Sequence, residues 1–176
     1  MGSTAPRKRI PLLLDAFARL AARVPVRLVR VGGPLTAVQR RAAAERGVAK
    51  SIVELPFLDR RTLAAVYRRA SLVVNPSECE GFGLPLVEAM ACGAPVLASD
   101  LAVLREVGGD AARYAAADDG EGWAQAIGDE LARLACAEAR EAARQAALRR
   151  AGRFTLEAYG QGIAAVYARV LAGAEE

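Results

Sequence analysis

Two carboxylates, Glu80 and Glu88, flank a glycine-bearing turn that could hold an anion. The turn spans residues 80–83, follows a short apolar run, and leads through Pro85 into a helix predicted over residues 86–92. Glycines in the turn allow the backbone to approach a ligand closely. The free N–H groups of a first helical turn, which Pro85 pre-sets, favour negative charge. The pattern therefore indicates a phosphate site whose carboxylates accept hydrogen bonds from ligand hydroxyl groups.

The same motif also has a purely structural interpretation. In that interpretation the glycines make only a tight turn, and Glu88 caps the end of its own helix. Short glycine motifs occur in many unrelated proteins, so the pattern by itself leaves both interpretations open.

A basic triplet could contribute to the same site. Arg7, Lys8 and Arg9 precede the first predicted helix, residues 11–24, where three cations oppose the helix dipole. A bound pyrophosphate would explain their placement. A solvated surface cluster would explain it equally well.

A pair of glycines marks a further candidate position. Gly32 and Gly33 follow a strand predicted over residues 26–31. They would lie at the carboxyl end of that strand, where open parallel sheets bind ligands. A plain surface loop is the alternative explanation.

The composition restricts the class of protein. The chain has 176 residues, 53% of them hydrophobic and 25% charged, which suffices for one domain with a buried core. It contains no apolar run of about eighteen residues, the length that a membrane span needs. Its cysteines, Cys79, Cys92 and Cys136, are odd in number and lack metal-ligand spacing, so we expect a reducing, cytoplasmic location.

Charge and residue types indicate the kind of ligand. The net charge of +4 is concentrated in basic clusters and suits an anionic ligand, such as a nucleoside diphosphate, or a lipid surface. Nucleic acid is not expected, because no basic stripe is interleaved with aromatic residues. The chain has no histidine, so acid–base chemistry would depend on carboxylates or on another chain. No metal or other cofactor is expected.

The order of the predicted elements identifies the fold class. Helices and strands alternate between residues 11 and 114, which predicts an α/β fold with a doubly wound, Rossmann-like parallel sheet and helices on both faces. Helices predicted over residues 121–135, 137–152 and 155–171 form a C-terminal helical segment. The first helix has no strand in front of it. Either the fold begins with this helix, or the chain was cut after its first strand.

The segment PSECEGFGLPLVEAMACGAPVLASD resembles the nucleotide-sugar-binding signature of retaining glycosyltransferases of family 4, which have the GT-B fold. Glu80 and Glu88 match the paired glutamates of that family. The likeness continues through GSTAPRKRIPLLLDAFARL, RLVRVGG, IVELPFLDRRTLAAVYRRASLVV and SDLAVLREVGGDAARY, in the expected order, and runs from about Gly2 to Tyr167. It implies that residues 1–176 form a single nucleotide-sugar-binding domain, the C-terminal half of a GT-B enzyme.

The resemblance also implies roles for individual residues. Lys8 matches the lysine that contacts the donor diphosphate. Glu80 matches the glutamate near the reacting carbon and is the predicted catalytic residue, while Glu88 matches the glutamate that binds the ribose. The other donor contacts that the resemblance implies lie in loops lining the cleft: Gly32, Gly33, Phe57, Phe82, Gly83 and Leu84.

Two departures from the family pattern limit these expectations. Ser3 or Thr4 lies near the place of a second phosphate-binding arginine, so either Arg7 or Arg9 replaces that arginine or fewer cations hold the donor. The family's N-terminal acceptor domain, its histidine and the strand before Gly2 have no counterpart here. We therefore expect the chain alone to bind a nucleoside-diphosphate sugar without transferring it.

Other partners and functions follow from the same observations. The missing acceptor domain, a second copy of the chain paired through the incomplete sheet, and a peripheral membrane contact are the expected partners. One alternative function is a non-catalytic, partner-binding module with a degenerate Rossmann-like fold. A nucleotide-sugar epimerase-like domain is another.

Overall fold

The computed structural model describes residues 5–116 and 118–173 of the chain. The strands of this part are β1 (Leu28–Val31), β2 (Ile52–Leu55), β3 (Val73–Asn75), β4 (Val96–Ser99) and β5 (Arg113–Ala115). Its helices are α1 (Ile10–Ala21), α2 (Ala37–Glu45), α3 (Arg60–Arg69), α4 (Leu84–Ala91), α5 (Ala102–Gly108), α6 (Gly120–Ala135), α7 (Ala137–Ala151) and α8 (Leu156–Gly173). Short 3-10 turns occur at Pro6–Lys8, Ala49–Ser51 and Gly109–Ala111.

The strands pair in parallel and form two separate sheets. β1 pairs with β2, from Leu28 opposite Ile52 to Val31 opposite Leu55. The other sheet has the order β3-β4-β5. Helices cover both faces, so the predicted doubly wound α/β class is confirmed. The sheet is divided between β1 and β3.

Strand β4 shows how the two faces are covered. Every residue of Val96–Ser99 is buried. Leu97 packs with Leu20 of α1 and Trp123 of α6, whereas its neighbours on either side pack with residues of α3, α4, α5 and α7. Successive residues of a strand point to opposite faces, so a strand covered on both faces is mostly apolar, as Val96, Leu97 and Ala98 are.

The starts of two helices follow local sequence signals. Thr36 and Gln39 form a capping box at α2, in which the Thr36 hydroxyl accepts from the Gln39 N–H at 3.2 Å. The Asp59 carboxylate accepts from the N–H groups of Arg61 and Thr62 at the start of α3. Each cap depends on residues no more than three positions apart, so both are set by the local sequence.

One local prediction was wrong. The helix after the glycine turn begins at Leu84 rather than at residue 86, because Gly83 adopts φ = +93° and Pro85 fits the first helical turn. The segment before α1 contains the 3-10 turn Pro6–Lys8, which ends at Arg9 in a left-handed conformation with φ = 48°.

Replacement of Gly83 by alanine should lower the free energy of unfolding by about 2 kcal/mol. The backbone there is left-handed, and a Cβ atom would lie 2.7 Å from Cδ2 of Leu104. Gly81→Ala is the matched control, because a Cβ at that position meets nothing within 4 Å. Urea denaturation of both variants measures the difference, and equal losses would contradict the assigned backbone strain.

Helix α8 lies at the surface and confirms the predicted C-terminal helical segment. All of its described residues are exposed. Its large apolar side chains are Leu156, Tyr159, Ile163, Val166, Tyr167, Val170 and Leu171. None of the helices in residues 5–116 and 118–173 is both long and apolar enough to cross a membrane.

Candidate functional site

The candidate site lies at the carboxyl ends of β1 and β3. Gly32 follows β1 directly, and Ser77 lies two residues beyond the end of β3. Lys8 and Ser77 line the same cavity between these strands, although they are far apart in sequence. Open parallel sheets bind their ligands at this edge.

A buried ion pair lies at the centre of the site. Lys8 Nζ donates to Oε1 of Glu80 at 2.5 Å and to the hydroxyl of Ser77 at 3.4 Å. The Ser77 hydroxyl in turn donates to Oδ1 of Asn75 at 2.6 Å. The side chains of Lys8 and Glu80 are only 14% and 8% exposed. A charged pair removed from water in this way is fixed in position by its hydrogen bonds.

The structure divides the basic triplet between two places. NH1 of Arg7 lies 3.6 Å from Oε2 of Glu80, and the Arg7 carbonyl accepts from the N–H of Glu78 at 2.8 Å. Arg9 instead pairs with Asp118 at 3.2 Å. Two cations of the triplet, Arg7 and Lys8, therefore belong to the site, and a wholly solvated cluster does not describe the triplet.

The electrostatics of the pair favour a charged Glu80. Burial acts to raise the pKa of this carboxyl group. The hydrogen bond from Lys8, together with the charges of Lys8 and Arg7, outweighs burial and holds the pKa below its ordinary value of 4.5. Glu80 is thus an anion at neutral pH and is held between cations.

Replacement of Glu80 by glutamine should reduce the free energy of unfolding by about 2 kcal/mol at neutral pH. Because the folded-state pKa is lowered, this contribution of Glu80 is complete above the unfolded value and is lost as pH falls through the folded value. The difference between the wild type and Glu80→Gln should therefore shrink below the ordinary pKa of 4.5. Chemical denaturation from pH 7 to pH 3 measures it, and a difference that grows on acidification would contradict the lowered pKa.

Glu88 has a different partner. It lies in the second turn of α4, and its Oε2 accepts from the Tyr67 hydroxyl at 3.2 Å. Burial, followed by the negative charge of Glu88, raises the pKa of Tyr67. This hydrogen bond links α4 to α3, and it gives the solvent-exposed carboxylate of Glu88 a defined orientation.

The remaining predicted site residues lie in loops at the same edge, which follow β1, β2 and β3. Gly32 adopts φ = +120° and donates from its N–H to the Leu55 carbonyl at 3.0 Å. A Cβ atom on Gly33 would meet nothing within 4 Å. Gly83 is the N-cap residue of α4 and provides no side-chain cap. The first N–H groups of this helix are therefore not occupied by a capping side chain.

Three apolar residues of the predicted site are exposed. Phe57 lies after β2, and Leu84 is the first residue of α4. Phe82 makes an edge-on contact with Phe154, with ring centroids 5.7 Å apart. Exposed apolar rings and a free helix start are suited to holding an organic anion.

Sequence reasoning missed Asn75, Ser77 and Tyr67. Asn75 and Ser77 support Lys8 and Glu80, and the Asn-x-Ser spacing, typical of an Asx turn, was the available signal. Tyr67 sits on the inward face of α3, where an aromatic residue is usually part of the core. Its contact with Glu88 could not be read from the sequence.

In this arrangement the cations can bind a phosphate, and the carboxylates can orient a neutral group. Lys8 and Arg7 provide positive charge beside the helix start, and Glu80 and Glu88 provide acceptors for hydroxyl groups. Within residues 5–116 and 118–173, no three Asp, Glu or Cys side chains come together in a group that could bind a metal.

The fold and the position of the Lys8–Glu80 pair define an α/β domain whose candidate ligand site lies at the carboxyl edge of a parallel sheet. The chain belongs to the family of glycosyl transferases group 1, whose sequence profile matches residues 1–133. The predicted resemblance to glycosyltransferases of family 4 is therefore confirmed.

Two named relatives of the chain are also glycosyltransferases. The chain is 36% identical over 181 aligned residues to the D-inositol 3-phosphate glycosyltransferase of Segniliparus rotundus, an alignment that covers 98% of the chain and 40% of the relative. It is 39% identical over 149 residues to the enzyme of the same name from Mycobacteroides abscessus, covering 76% of the chain and 32% of the relative. The chain thus spans between about a third and two fifths of these proteins.

Solved structures share the fold. Sucrose-phosphate synthase from Thermosynechococcus elongatus superposes with a TM-score of 0.79 at 28% identity, over 96% of this chain and 43% of the synthase. Anabaena HepE, solved in complex with UDP and glucose, gives 0.80 at 22% identity over 96% and 47% of the two chains. The second likeness shows the fold alone.

Proposed function

We propose that the chain is the donor-binding, C-terminal domain of a retaining glycosyltransferase and that it binds a nucleoside-diphosphate sugar. The observation that carries this proposal is the Lys8–Glu80 pair, 2.5 Å apart at the carboxyl edge of the sheet. A cation and a carboxylate in contact match a ligand that carries a phosphate next to a hydroxylated ring. The family relationship supports the same choice of ligand.

Each end of the donor has a suitable partner in this proposal. Lys8, Arg7 and the N-terminus of α4 bind the diphosphate. Glu80 accepts hydrogen bonds from hydroxyl groups of the sugar, and Glu88 accepts them from the hydroxyl groups of the ribose. Phe57 and the loop after β2 lie beside the base.

The same groups would serve the departure of the nucleoside diphosphate. Negative charge grows on the diphosphate as the sugar leaves, and the cations with the helix dipole stabilise it in place. In the resting pair Lys8 is held by Glu80. The diphosphate draws Lys8 toward itself on binding, and Glu80 is then released to the sugar.

Transfer requires a second wall of the cleft. We propose that an acceptor-binding domain supplies this wall and that the chain alone binds the donor without turnover. The full enzyme acts in the cytoplasm, where the free thiols of Cys79, Cys92 and Cys136 remain reduced, and it meets a membrane surface only peripherally.

Isothermal titration of the chain with UDP-glucose, GDP-mannose and ADP-glucose tests the proposal. We expect saturable binding at one site for one of the three donors, weaker for the corresponding free monophosphate. Circular dichroism of the same sample establishes that it is folded. A folded chain that binds none of the donors at millimolar concentration would refute the proposal and favour a non-catalytic module.

A further inference from the structure

Two charged residues lie next to each other on β1 and β2, below the loops of the candidate site. Arg30 of β1 is in register with Glu54 of β2, so both side chains point to the same face of the sheet. Arg30 is only 8% exposed, although strands of a covered parallel sheet are mostly apolar. Burial lowers the pKa of Arg30, and the charge of Glu54 acts against that effect. A buried cation is unfavourable unless its hydrogen-bond donors are used.

Arg30 donates to the loop that follows its own strand. Its guanidinium donates to the carbonyl oxygen of Gly33, which lies in the loop of residues 32–35. A carbonyl oxygen that faced the cleft would repel a phosphate, and this hydrogen bond holds it on the strand side instead. A Cβ atom on Gly33 would meet nothing within 4 Å, so a ligand can approach the backbone there closely.

Glu54 fixes the far end of the same loop. Its Oε2 accepts from the N–H of Leu35 at 2.7 Å, and its carboxylate accepts from Nε and NH2 of Arg40 at 3.1 and 3.3 Å. The hydrogen bond from Arg40, followed by that from Leu35, holds the pKa of Glu54 below its ordinary value of 4.5. Glu54 is therefore an anion at neutral pH. We call Arg30, Glu54 and Arg40 the cross-strand clamp.

The cross-strand clamp also reaches the loop after β2. The N–H of Gly32 donates to the carbonyl of Leu55 at 3.0 Å, and Leu55 leads directly into residues 56–58. Glu54 is the residue before Leu55, so a displacement of its backbone would affect both loops. The loops after β1 and β2 are thus joined at their bases by hydrogen bonds and charges.

The fold itself does not require these charges. Apolar side chains of similar size on adjacent strands often stabilise a protein as well as charged ones do. Apolar side chains would, however, leave the Gly33 carbonyl without its donor and the Leu35 N–H without its acceptor. The charged residues therefore serve the shape of the loop more than the pairing of the strands.

We propose that Arg30 and Glu54 are positioning residues for the nucleotide part of the donor. They act without touching the ligand, by holding the loops of residues 32–35 and 56–58 in the shape that receives it. This inference rests on the proposed donor site, in which both loops line the nucleotide side of the cleft. A loop that is ordered before the ligand arrives loses less conformational entropy on binding, and the affinity rises accordingly.

The double variant Arg30→Met, Glu54→Leu separates positioning from folding. It removes both charges together, so it should lose less stability than either single change, and urea denaturation measures this. Isothermal titration of the wild type with UDP, GDP and ADP selects the nucleotide. That nucleotide and its monophosphate should both bind the double variant roughly tenfold more weakly. Unchanged affinity, or a loss confined to the diphosphate, would overturn the proposal.

Two further variants provide the comparison. Glu54→Gln keeps an acceptor for the Leu35 N–H and should bind the nucleotide within about threefold of the wild type. Glu45→Leu breaks the exposed 2.8 Å pair between Glu45 and Arg41 on α2 and should leave binding unchanged. If Glu45→Leu weakens binding as much as the double variant does, the clamp has no specific role and the proposal is overturned.

Hydrogen exchange of the ligand-free chain reports the loop directly. The amide of Leu35 should exchange roughly tenfold faster in the double variant than in the wild type, and an unchanged rate would overturn the proposal. A wild type that binds none of the three nucleotides would refute the proposed function, and this inference with it. A wild type and a double variant that bind the selected nucleotide equally would refute this inference alone.

Discussion

Replacement of Lys8 by alanine is expected to weaken the binding of a nucleoside diphosphate by roughly tenfold to a hundredfold. A charge-assisted hydrogen bond contributes about 1.5–3 kcal/mol, and Lys8 is the most buried cation of the site, with a side chain 14% exposed. A cation in this position has lost most of its water before the ligand arrives. Isothermal titration with UDP and with the donor that binds most tightly measures the effect.

Two controls separate the ligand effect from a loss of folding. Lys50→Ala removes an exposed lysine on a turn away from the site and should leave binding unchanged. Lys8→Ala also leaves Glu80 buried without its closest cation, which is destabilising. The double variant Lys8→Ala, Glu80→Gln removes that charge and restores stability. If this double variant binds UDP as tightly as Glu80→Gln alone, Lys8 does not contact the diphosphate.

Part of the fold could be predicted because its signals are local. The caps at Thr36 and Asp59 and the alternation of helices and strands depend on residues within one element or between neighbours. The start of α4 was misplaced because Gly83 is left-handed and Pro85 lies within the first helical turn. The need for glycine there also has a tertiary part, since a Cβ would meet Leu104, twenty-one positions away, and a pattern within one segment carries no information about that contact.

The division of the sheet was only half predictable. The alternation of elements predicts a strand in front of α1, since every other helix between strands has one before it, but it leaves open whether the fold begins with this helix. It does not indicate which two strands would face the gap. That depends on strand order, and the separation of β1 from β3 followed only from their pairing with β2 and β4.

The candidate site shows the same limit. Glu80 and Lys8 could each be selected from the sequence, but they are separated by 72 positions and meet only because α1 and α4 begin at one edge. The division of the triplet, with Arg7 near Glu80 and Arg9 at Asp118, also depends on that packing. Residue types predicted the chemistry, and the fold determined which residues take part.

The two carboxylates should separate the affinity for the nucleotide from the affinity for the sugar. Glu88→Ala should weaken UDP and UDP-sugar by the same factor, roughly tenfold, because a ribose contact is common to both ligands. Tyr67→Phe should have a smaller effect in the same direction, since the Tyr67 hydroxyl only orients Glu88, at 3.2 Å. Glu106→Ala, on the exposed side of α5, is the matched control.

Glu80→Gln should instead reduce the affinity that the sugar contributes and should not weaken the binding of UDP. The substitution removes a negative charge next to the diphosphate and releases Lys8 from its 2.5 Å contact, so UDP should bind as tightly as before or more tightly. The additional affinity that the sugar provides should fall by roughly tenfold, because glutamine accepts hydrogen bonds from hydroxyl groups less strongly than a carboxylate. Titration of each variant with UDP and with the UDP-sugar gives both ratios. If the two variants change both ligands by the same factor, Glu80 and Glu88 do not occupy distinct sugar and ribose positions, and the carboxylates act only through the stability of the α4 region.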